Sequence, residues 1–309
     1  MFRGKIVKSV SLLAILIMTL SLAACGNNSS SSDEQTKLGS KKIEIPYIAS
    51  DNSATRSLVI AEVLKKAGYD VITTPVQASG PLYASVATNE DAFHASGIFP
   101  SVDKSYYNKF KSNLTLYDKN NFVDNVRVGL AVPKYVNNVD SIEDLDGNKS
   151  FGESVDYKIQ GTDARNGVMK LTKDEVGKDN LAKYKLNESS DQEQFKKIQK
   201  AYKSQQPILV TAMDPSWIVN ELDLKMLKDP DKIYGSDDQH INLVFNKGFK
   251  DNHPAAFTIA TRMSDDWSQK DEEKLAKKIF VDQQDPEKVA KNYVDDHENK
   301  VDDWLKDIK

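Results

Sequence analysis

The segment KIEIPYIASDNSATRSLVIAEVLKKAGYDVITTPV, residues 42–76, decides the fold because it joins a strand, a helix and a second strand. Lys42–Ala49 has a short apolar strand pattern, and apolar residues recur at helical spacing from Ala54 to Ala67. Gly68 is expected to end that helix, and Asp70–Val76 is again typical of a strand. The segment therefore predicts one strand–helix–strand unit of an α/β domain.

The alternation continues beyond this segment. A helix is predicted over Pro81–Thr88 and an apolar strand over Ala92–Gly97, which favours an α/β domain with a largely parallel sheet. A fully apolar strand is predicted over Val126–Val132. Ser141 is then expected to cap a short helix.

A second set of elements follows in the chain. Helices are predicted from near Arg165 to Thr172 and over Asp191–Ser204, with a strand over Ile208–Ala212. After the apolar strand Ile241–Phe245, several amphipathic helices run from His253 to the C-terminus. Two α/β lobes are the economical interpretation.

The N-terminal residues 1–24 read as an export signal. Basic residues precede the apolar run Val10–Leu20, which is too short to span a bilayer comfortably. Leu22-Ala23-Ala24-Cys25 resembles the lipobox of bacterial lipoproteins, which implies a diacylglycerol on Cys25 and removal of residues 1–24. Cys25 is the only cysteine of the chain, so it has no partner for an intramolecular disulfide.

Residues 25–41 are rich in serine, asparagine and charged side chains, which predicts a flexible tether. A lipid on Cys25 would hold the protein at the extracytoplasmic face of the cell membrane. The 309 residues carry 42 Lys plus Arg against 46 Asp plus Glu, a net charge of −4. This balance provides no basic field for nucleic acid, so no nucleic-acid partner is expected.

Motifs for catalysis are missing from the sequence. The chain has neither a His-Glu-x-x-His pair for zinc nor a Gly-x-Ser-x-Gly elbow for a serine nucleophile. It also has no phosphate-binding glycine loop. We therefore expect a protein that is not an enzyme and that has no cofactor and no metal site.

Short segments throughout the chain resemble one family, the substrate-binding lipoproteins of glycine betaine and proline betaine ABC transporters. Their order and spacing carry the resemblance; they include Gly129-Leu-Ala-Val-Pro-Lys-Tyr-Val136, Gly167-Val-Met-Lys-Leu-Thr172, Pro207-Ile-Leu-Val-Thr211, Pro215-Ser-Trp217 and Lys300-Val-Asp-Asp-Trp-Leu305. The resemblance implies a two-lobed, periplasmic-binding-protein-like fold of type II with the ligand in the cleft between the lobes. Its expected partners are a small zwitterionic ligand, an ABC permease and the ATPase of that permease.

We expect one lobe from about residue 43 to 130 plus 238 to 309, and the other from about 131 to 237. In members of this family that bind betaines, aromatic faces hold the quaternary ammonium. The corresponding segments here carry Tyr47, Phe99 and Trp217, and Tyr83 lies on the second predicted helix. If these four converge they form a reduced cage, although a lone aromatic in a strand or an apolar helix is equally explained by core packing.

A charged site is the second possibility. Arg165 stands at the start of a predicted helix, where the dipole disfavours a cation unless an anion is shared with the backbone N–H groups. Asp163 or Asp214 could then hold the N–H donors of an ordinary zwitterion such as an amino acid, and Met213 beside Asp214 is also expected to contact the ligand. Arg165 could equally pair with a surface carboxylate. Asp51 is explained as part of the N-cap region of the first helix.

These residues predict capture of glycine betaine or a related small zwitterion or quaternary amine for import. Two alternatives stay open on the sequence. One is a transport lipoprotein that binds amino acids through Arg165, and the other is a surface lipoprotein that serves adhesion or sensing.

Overall fold

The structure is a computed structural model that describes residues 36–236 and 238–308. The predicted export signal, Cys25 and residues 26–35 of the predicted tether lie outside the described residues.

Within the described residues the chain alternates between strands and helices. The strands are β1 Lys42–Ile48, β2 Asp70–Val76, β3 Phe93–Phe99, β4 Leu114–Leu116, β5 Val123–Pro133, β6 Lys158–Gln160, β7 Lys185–Asn187, β8 Leu209–Asp214, β9 Leu224–Met226 and β10 Gln239–Asn246. The helices are α1 Ser53–Lys66, α2 Ser79–Thr88, α3 Lys104–Phe110, α4 Asp144–Gly147, α5 Lys149–Ser154, α6 Gly167–Glu175, α7 Asp191–Ser204, α8 Trp217–Glu221, α9 Phe249–Asn252, α10 Pro254–Asp266, α11 Gln269–Ala276, α12 Pro286–Asp296 and α13 Glu298–Leu305. A 3-10 turn covers Asp179–Leu181, and a π-helical turn covers Lys277–Val281.

The sheet is mixed. β1 and β2 form a separate parallel pair, whereas the large sheet has the order β3-β10-β5-β8-β6-β7, with β4 on β10 and β9 on β5. The prediction of a largely parallel sheet is wrong for this large sheet, because β10 and β5 run antiparallel to their neighbours. β5 pairs with β10 through its first half and with β8 and β9 through its second half, so it continues through both parts of the sheet.

Local sequence explains where several helices begin and end. Gly68 has a φ of +98°, a left-handed conformation that glycine adopts without strain, and it follows the last turn of α1 as predicted. α7 begins with a capping box in which Ser190 and Glu193 satisfy each other's backbone N–H groups. The prediction for Ser141 is wrong: α4 begins at Asp144, and the Asp144 carboxylate accepts from the Ser141 backbone N–H.

Buried apolar side chains gather into separate clusters. The first core includes Val59, Phe93, Leu243 and Ile259, and continues through the C-terminal helices to Trp304. The second core is built from the middle of the chain and includes Leu130, Val139, Phe151, Ile159 and Leu209. A smaller group, the α8 cluster, joins Ala131, Ile198, Val210, Val219 and Leu224.

The helices of residues 36–236 and 238–308 are each too short or too polar to cross a membrane.

Candidate functional site

A cavity of about 110 Å³ lies where the ends of β1, β3 and β8 meet the first turns of α6, α7 and α8. Its apolar wall comes from strand residues such as Ile48, Ile98, Val128 and Met213. Polar side chains with hydroxyl, amide and carboxyl groups complete the lining. An apolar pocket with a few convergent polar groups is the usual form of a small-molecule site.

Ser50 lies at one end of this cavity and forms hydrogen bonds with two other lining residues. Its hydroxyl donates to Asp191 Oδ2 at 2.8 Å, and its backbone carbonyl accepts from the Trp217 indole N–H at 3.0 Å. Asp51 follows directly in the chain and also lines the cavity. Three residues far apart in sequence, Asp51, Asp191 and Trp217, are therefore brought together around one serine.

The carboxyl groups at this end are partly shielded from water. Asp51 accepts a hydrogen bond from the Ser53 backbone N–H at 2.7 Å, but burial outweighs this bond and raises the pKa of Asp51 to about 6. Burial also raises the pKa of Asp191. Among the described residues no lysine, arginine or histidine lines the cavity. This end of the cavity is thus suited to a positively charged group.

Trp217 is held from several sides. Its backbone N–H donates to Asn52 Oδ1 at 3.0 Å, and Asn52 is itself almost fully buried. The indole stacks on Phe280 with ring centroids 5.0 Å apart and an interplanar angle of 14°. Phe195 approaches the same indole at 4.7 Å. The position of the indole is therefore set by ring contacts outside the cavity lining together with its bond to Ser50.

The first turn of α6 forms another part of the wall. Gly167 and Val168 line the cavity, and the preceding Asn166 provides no side-chain cap to the helix. A Cβ at Gly167 would lie only 2.5 Å from Val102 Cγ1, so glycine permits the close approach of α6 to the segment after β3. The first N–H groups of a helix without a side-chain cap favour a negatively charged or hydrogen-bond-accepting group.

Behind this wall lies a third buried carboxyl group. Asp103 is fully buried, and its Oδ2 accepts from the Ile98 backbone N–H at 3.0 Å and from the Tyr83 hydroxyl at 3.4 Å. Burial raises the pKa of Asp103 to about 7. Ser96 on β3 lines the cavity, and its buried hydroxyl has no hydrogen-bond partner within the described part of the chain.

Three of the residues predicted for the site lie next to lining residues on their strands. Ile48, Ile98 and Met213 line the cavity, whereas their neighbours Tyr47, Phe99 and Asp214 do not. Successive side chains of a strand point to opposite faces, so an offset of one residue moves a side chain away from the site. The three are instead engaged elsewhere: Tyr47 packs on the first core, Phe99 contacts Tyr107, and Asp214 pairs with Arg127.

Tyr83 also lies outside the cavity lining. It is fully buried on α2, in a cluster with Val86 and Phe99, and its ring meets His94 edge-on with centroids 4.7 Å apart. Its contacts are those of a core residue. Of the four aromatic residues considered for a cage, the structure therefore brings only Trp217 to the cavity.

Arg165 and Asp163 form a pair with each other near the surface. The Arg165 guanidinium donates to both Asp163 oxygens, at 2.8 and 2.6 Å, and neither residue lines the cavity. This pairing lowers the pKa of Asp163. Arg165 and Asp163 thus form a local ion pair, as one of the two alternatives considered for Arg165 on the sequence predicted.

We expect Arg165→Ala to change ligand affinity by less than about threefold, because the guanidinium lies outside the cavity and exposed ion pairs contribute little. Isothermal titration of the variant and the unsubstituted protein would measure this. The Arg165 carbonyl, which accepts from the Tyr106 hydroxyl, is retained in the variant. A loss of affinity above tenfold would return Arg165 to the site.

Sequence reasoning missed Asp191 and Asn52, and it explained Asp51 only as a helix-capping residue. Asp191 begins a helix with a complete capping box, so its local role hides its position at the cavity. The available signal was weak: Asp51 and Asp191 both stand at a strand-to-helix junction, where open α/β folds place ligands.

Comparison with known proteins identifies a family model and a curated relative that are both similar to this chain. Residues 41–296 match the sequence model of one protein family, described as the substrate binding domain of ABC-type glycine betaine transport systems. A glycine betaine/carnitine transport binding protein, GbuC of Listeria monocytogenes, is 31% identical over 166 residues. That alignment covers 53% of this chain and 54% of GbuC, so the chain matches about half the length of this curated relative.

Two solved structures are similar over most of the chain. Lactococcal OpuAC, in a closed form with glycine betaine, is 30% identical with a TM-score of 0.76, and the match covers 86% of this chain and 100% of that one. The glycine betaine/L-proline-binding protein ProX of Borrelia burgdorferi is 25% identical with a TM-score of 0.76, covering 85% and 96% of the two chains. The predicted periplasmic-binding-protein-like fold and the predicted family are confirmed.

Proposed function

Since the chain belongs to the family of substrate-binding domains of ABC-type glycine betaine transport systems, we propose that it captures a small quaternary ammonium compound such as glycine betaine. The captured compound would be delivered to a membrane permease whose ATPase drives import. The family is one of transport proteins rather than enzymes, and we propose that this chain has no catalytic activity of its own.

The observation that carries the proposal is the convergence of Asp51, Asp191 and Trp217 on a cavity whose described lining has no basic side chain. A trimethylammonium group has no N–H donors, so it is bound by an aromatic face and by negative charge. A cation–π contact contributes roughly 2 kcal/mol when it is shielded from water. Two carboxylates can replace part of what further aromatic faces would contribute.

The first turn of α6 supports a zwitterion over a simple cation. Gly167 and Val168 line the same cavity as the carboxyl groups, and backbone N–H groups of this helix start could donate to the carboxylate of glycine betaine. The proposed ligand therefore lies with its ammonium group near Trp217 and its carboxylate near α6.

We further propose that the first and second cores are the centres of two lobes that close over the ligand. The contacts around Ser50 support this, because Asp191 and Trp217 belong to elements between β5 and β10 whereas Ser50 follows β1. A ligand that touches both sides would favour the closed form.

A methylation series tests the proposed function. Glycine, N-methylglycine, N,N-dimethylglycine and glycine betaine share a carboxylate and a positive charge but differ in the number of N–H donors. Thermal unfolding of the purified protein is measured with each compound, and with choline, which lacks the carboxylate. A ligand at about 100 times its Kd adds roughly 2.7 kcal/mol of stability, which raises Tm by several degrees.

We expect the shift in Tm to be largest with glycine betaine and to fall with each methyl group removed. A shift that grows with the number of N–H donors would instead identify an ordinary ammonium group bound by hydrogen bonds to Asp51 and Asp191. That second candidate is favoured by the two carboxylates at the site. An absence of any shift would contradict both candidates.

The lipid anchor is also a proposal, which rests on Leu22-Ala23-Ala24-Cys25. We propose that the mature protein is attached to the extracytoplasmic face of the cell membrane through Cys25. The Cys25→Ser variant should move from the membrane fraction to the soluble fraction on cell fractionation. Continued membrane attachment of the variant would contradict the anchor. The Ser30→Ala variant, altered in the same polar segment, is the matched control and should stay with the membrane.

A further inference from the structure

Phe280 is the residue from which this inference starts. It lies on the π-helical turn Lys277–Val281, between α11 and α12, and packs on the first core. It does not line the cavity, yet its ring lies nearly parallel to the indole of Trp217 at 5.0 Å. π-helical turns are rare and are often found at functional sites.

Phe280 lies at the margin of the first core. Ile279, the residue before it, is buried in the first core, whereas Phe280 is only partly buried. Trp217 begins α8, whose Val219 belongs to the α8 cluster. The ring pair thus joins a residue packed on the first core to the first residue of α8.

Contacts between these parts of the chain lie near the cavity in several places, including the bond from the Ser79 backbone N–H to Asn166 Oδ1. On one side are the Phe280–Trp217 stack and the bond from the Trp217 backbone N–H to Asn52 Oδ1. On the other side the Tyr106 hydroxyl donates to the Arg165 carbonyl at 2.7 Å. Trp217 both lines the cavity and takes part in the aromatic stack, so the stack acts directly on a residue of the cavity.

We propose that Phe280 is a positioning residue that holds the Trp217 indole over the cavity and thereby sets the lifetime of the closed, ligand-bound protein. The proposal extends the proposed function to a residue that touches no ligand. In this proposal two residues contribute to ligand affinity in different ways. The face of Trp217 contacts the ligand, and the Phe280 ring keeps that face in place. Loss of the Phe280 ring is expected to raise mainly the dissociation rate of the ligand, because such contacts form after the ligand has first met the protein.

The first measurement is made without ligand, so that it does not depend on the proposed function. Small-angle X-ray scattering of the purified protein gives the radius of gyration of the unsubstituted chain and of Phe280→Ala. We expect a larger radius for Phe280→Ala, because the stack no longer opposes opening, and an unchanged radius for Phe280→Tyr. Equal radii for all three proteins would overturn the proposal.

The second measurement uses glycine betaine and stopped-flow displacement. We expect the dissociation rate to rise about tenfold in Phe280→Ala and to change less than twofold in Phe280→Tyr, which keeps the ring. Phe257→Ala is the matched control, since Phe257 packs between Tyr117 and Phe245 away from Trp217. That control should lower Tm and leave the dissociation rate unchanged.

The two measurements distinguish the possible failures. A larger radius in Phe280→Ala without detectable glycine betaine binding in any variant would support the role of Phe280 and contradict the proposed ligand. Glycine betaine binding with equal dissociation rates in Phe280→Ala and the unsubstituted protein would overturn the role of Phe280 alone. An equal rise of the rate in Phe257→Ala would assign the effect to general destabilisation and would also overturn it.

Discussion

Replacing Trp217 by alanine is expected to weaken binding of glycine betaine by more than tenfold. The indole lines the cavity, and of the four candidate cage aromatics it alone does so. Its removal takes away a shielded cation–π face, which contributes roughly 2 kcal/mol. It also removes the indole N–H donated to the Ser50 carbonyl and the stack on Phe280. The affinity is measured by isothermal titration.

Two further variants show whether the loss of affinity comes from the aromatic face of Trp217. Trp217→Phe keeps an aromatic face without the N–H donor, so we expect a smaller loss than in Trp217→Ala. Trp267→Phe alters an indole that donates to Glu272 outside the cavity lining, and its affinity should not change. Unchanged affinity in Trp217→Ala would remove Trp217 from the site.

Replacing Asp51 by asparagine is expected to weaken glycine betaine binding by about tenfold or more, while the ligand-free protein becomes more stable. Asp51 lines the part of the cavity proposed for the ammonium group, so its neutralisation removes a Coulomb attraction, and a tenfold loss of affinity corresponds to about 1.4 kcal/mol of that attraction. An asparagine oxygen can still accept from the Ser53 backbone N–H, so the start of α1 is preserved. Titration calorimetry and thermal unfolding of the same samples measure both effects.

The gain in stability follows from the direction of the pKa change. Burial raises the pKa of Asp51 from 3.8 to about 6, so the folded protein holds this proton more tightly than the unfolded chain. The contribution of Asp51 to stability is therefore favourable at low pH and is lost as the pH rises from about 4 to 6. At pH 7.5 the ionised, buried carboxylate costs about 1–3 kcal/mol, which Asp51→Asn removes.

The pH dependence of binding has the opposite sign. A cationic group binds the ionised carboxylate, so affinity should rise as the pH increases through about 6, by about tenfold between pH 5 and pH 7.5. Asp191, whose pKa is also raised by burial, acts in the same direction. Asp51→Asn should flatten this dependence, and Asp163→Asn, which alters a carboxylate outside the cavity, should not. Binding that is independent of pH in the unsubstituted protein would contradict the role of Asp51.

Much of the fold could be predicted from the sequence because it depends on local patterns. The apolar spacing of residues 42–76 predicted β1, α1 and β2 with bounds that differ by only a residue or so from those of the structure. Asp191–Ser204 was predicted as the helix that forms, since its capping box and its periodicity agree. The family could also be predicted from the sequence, because the short segments that resemble it keep the same order along the chain.

Sheet direction could not be read from these patterns. Whether a strand runs parallel or antiparallel depends on which distant strand it pairs with, and β5 pairs with β10 and β8 across long separations in sequence. The apolar run of β5 is equally suited to either direction.

The candidate site, like the fold, was predicted in part from the sequence and decided in part by tertiary contacts. The sequence by itself predicted ligand contacts at the ends of three strands, from Tyr47 in Tyr47–Ile48, from Phe99 in Ile98–Phe99 and from both residues of Met213–Asp214. Only the tertiary structure decided which member of each pair lines the cavity, because alternate side chains of a strand face opposite sides and the buried face is set by packing against distant elements. The gathering of Asp51, Asp191 and Trp217 around Ser50 was likewise decided by tertiary contacts, since each of these residues has a sufficient local explanation in its own segment.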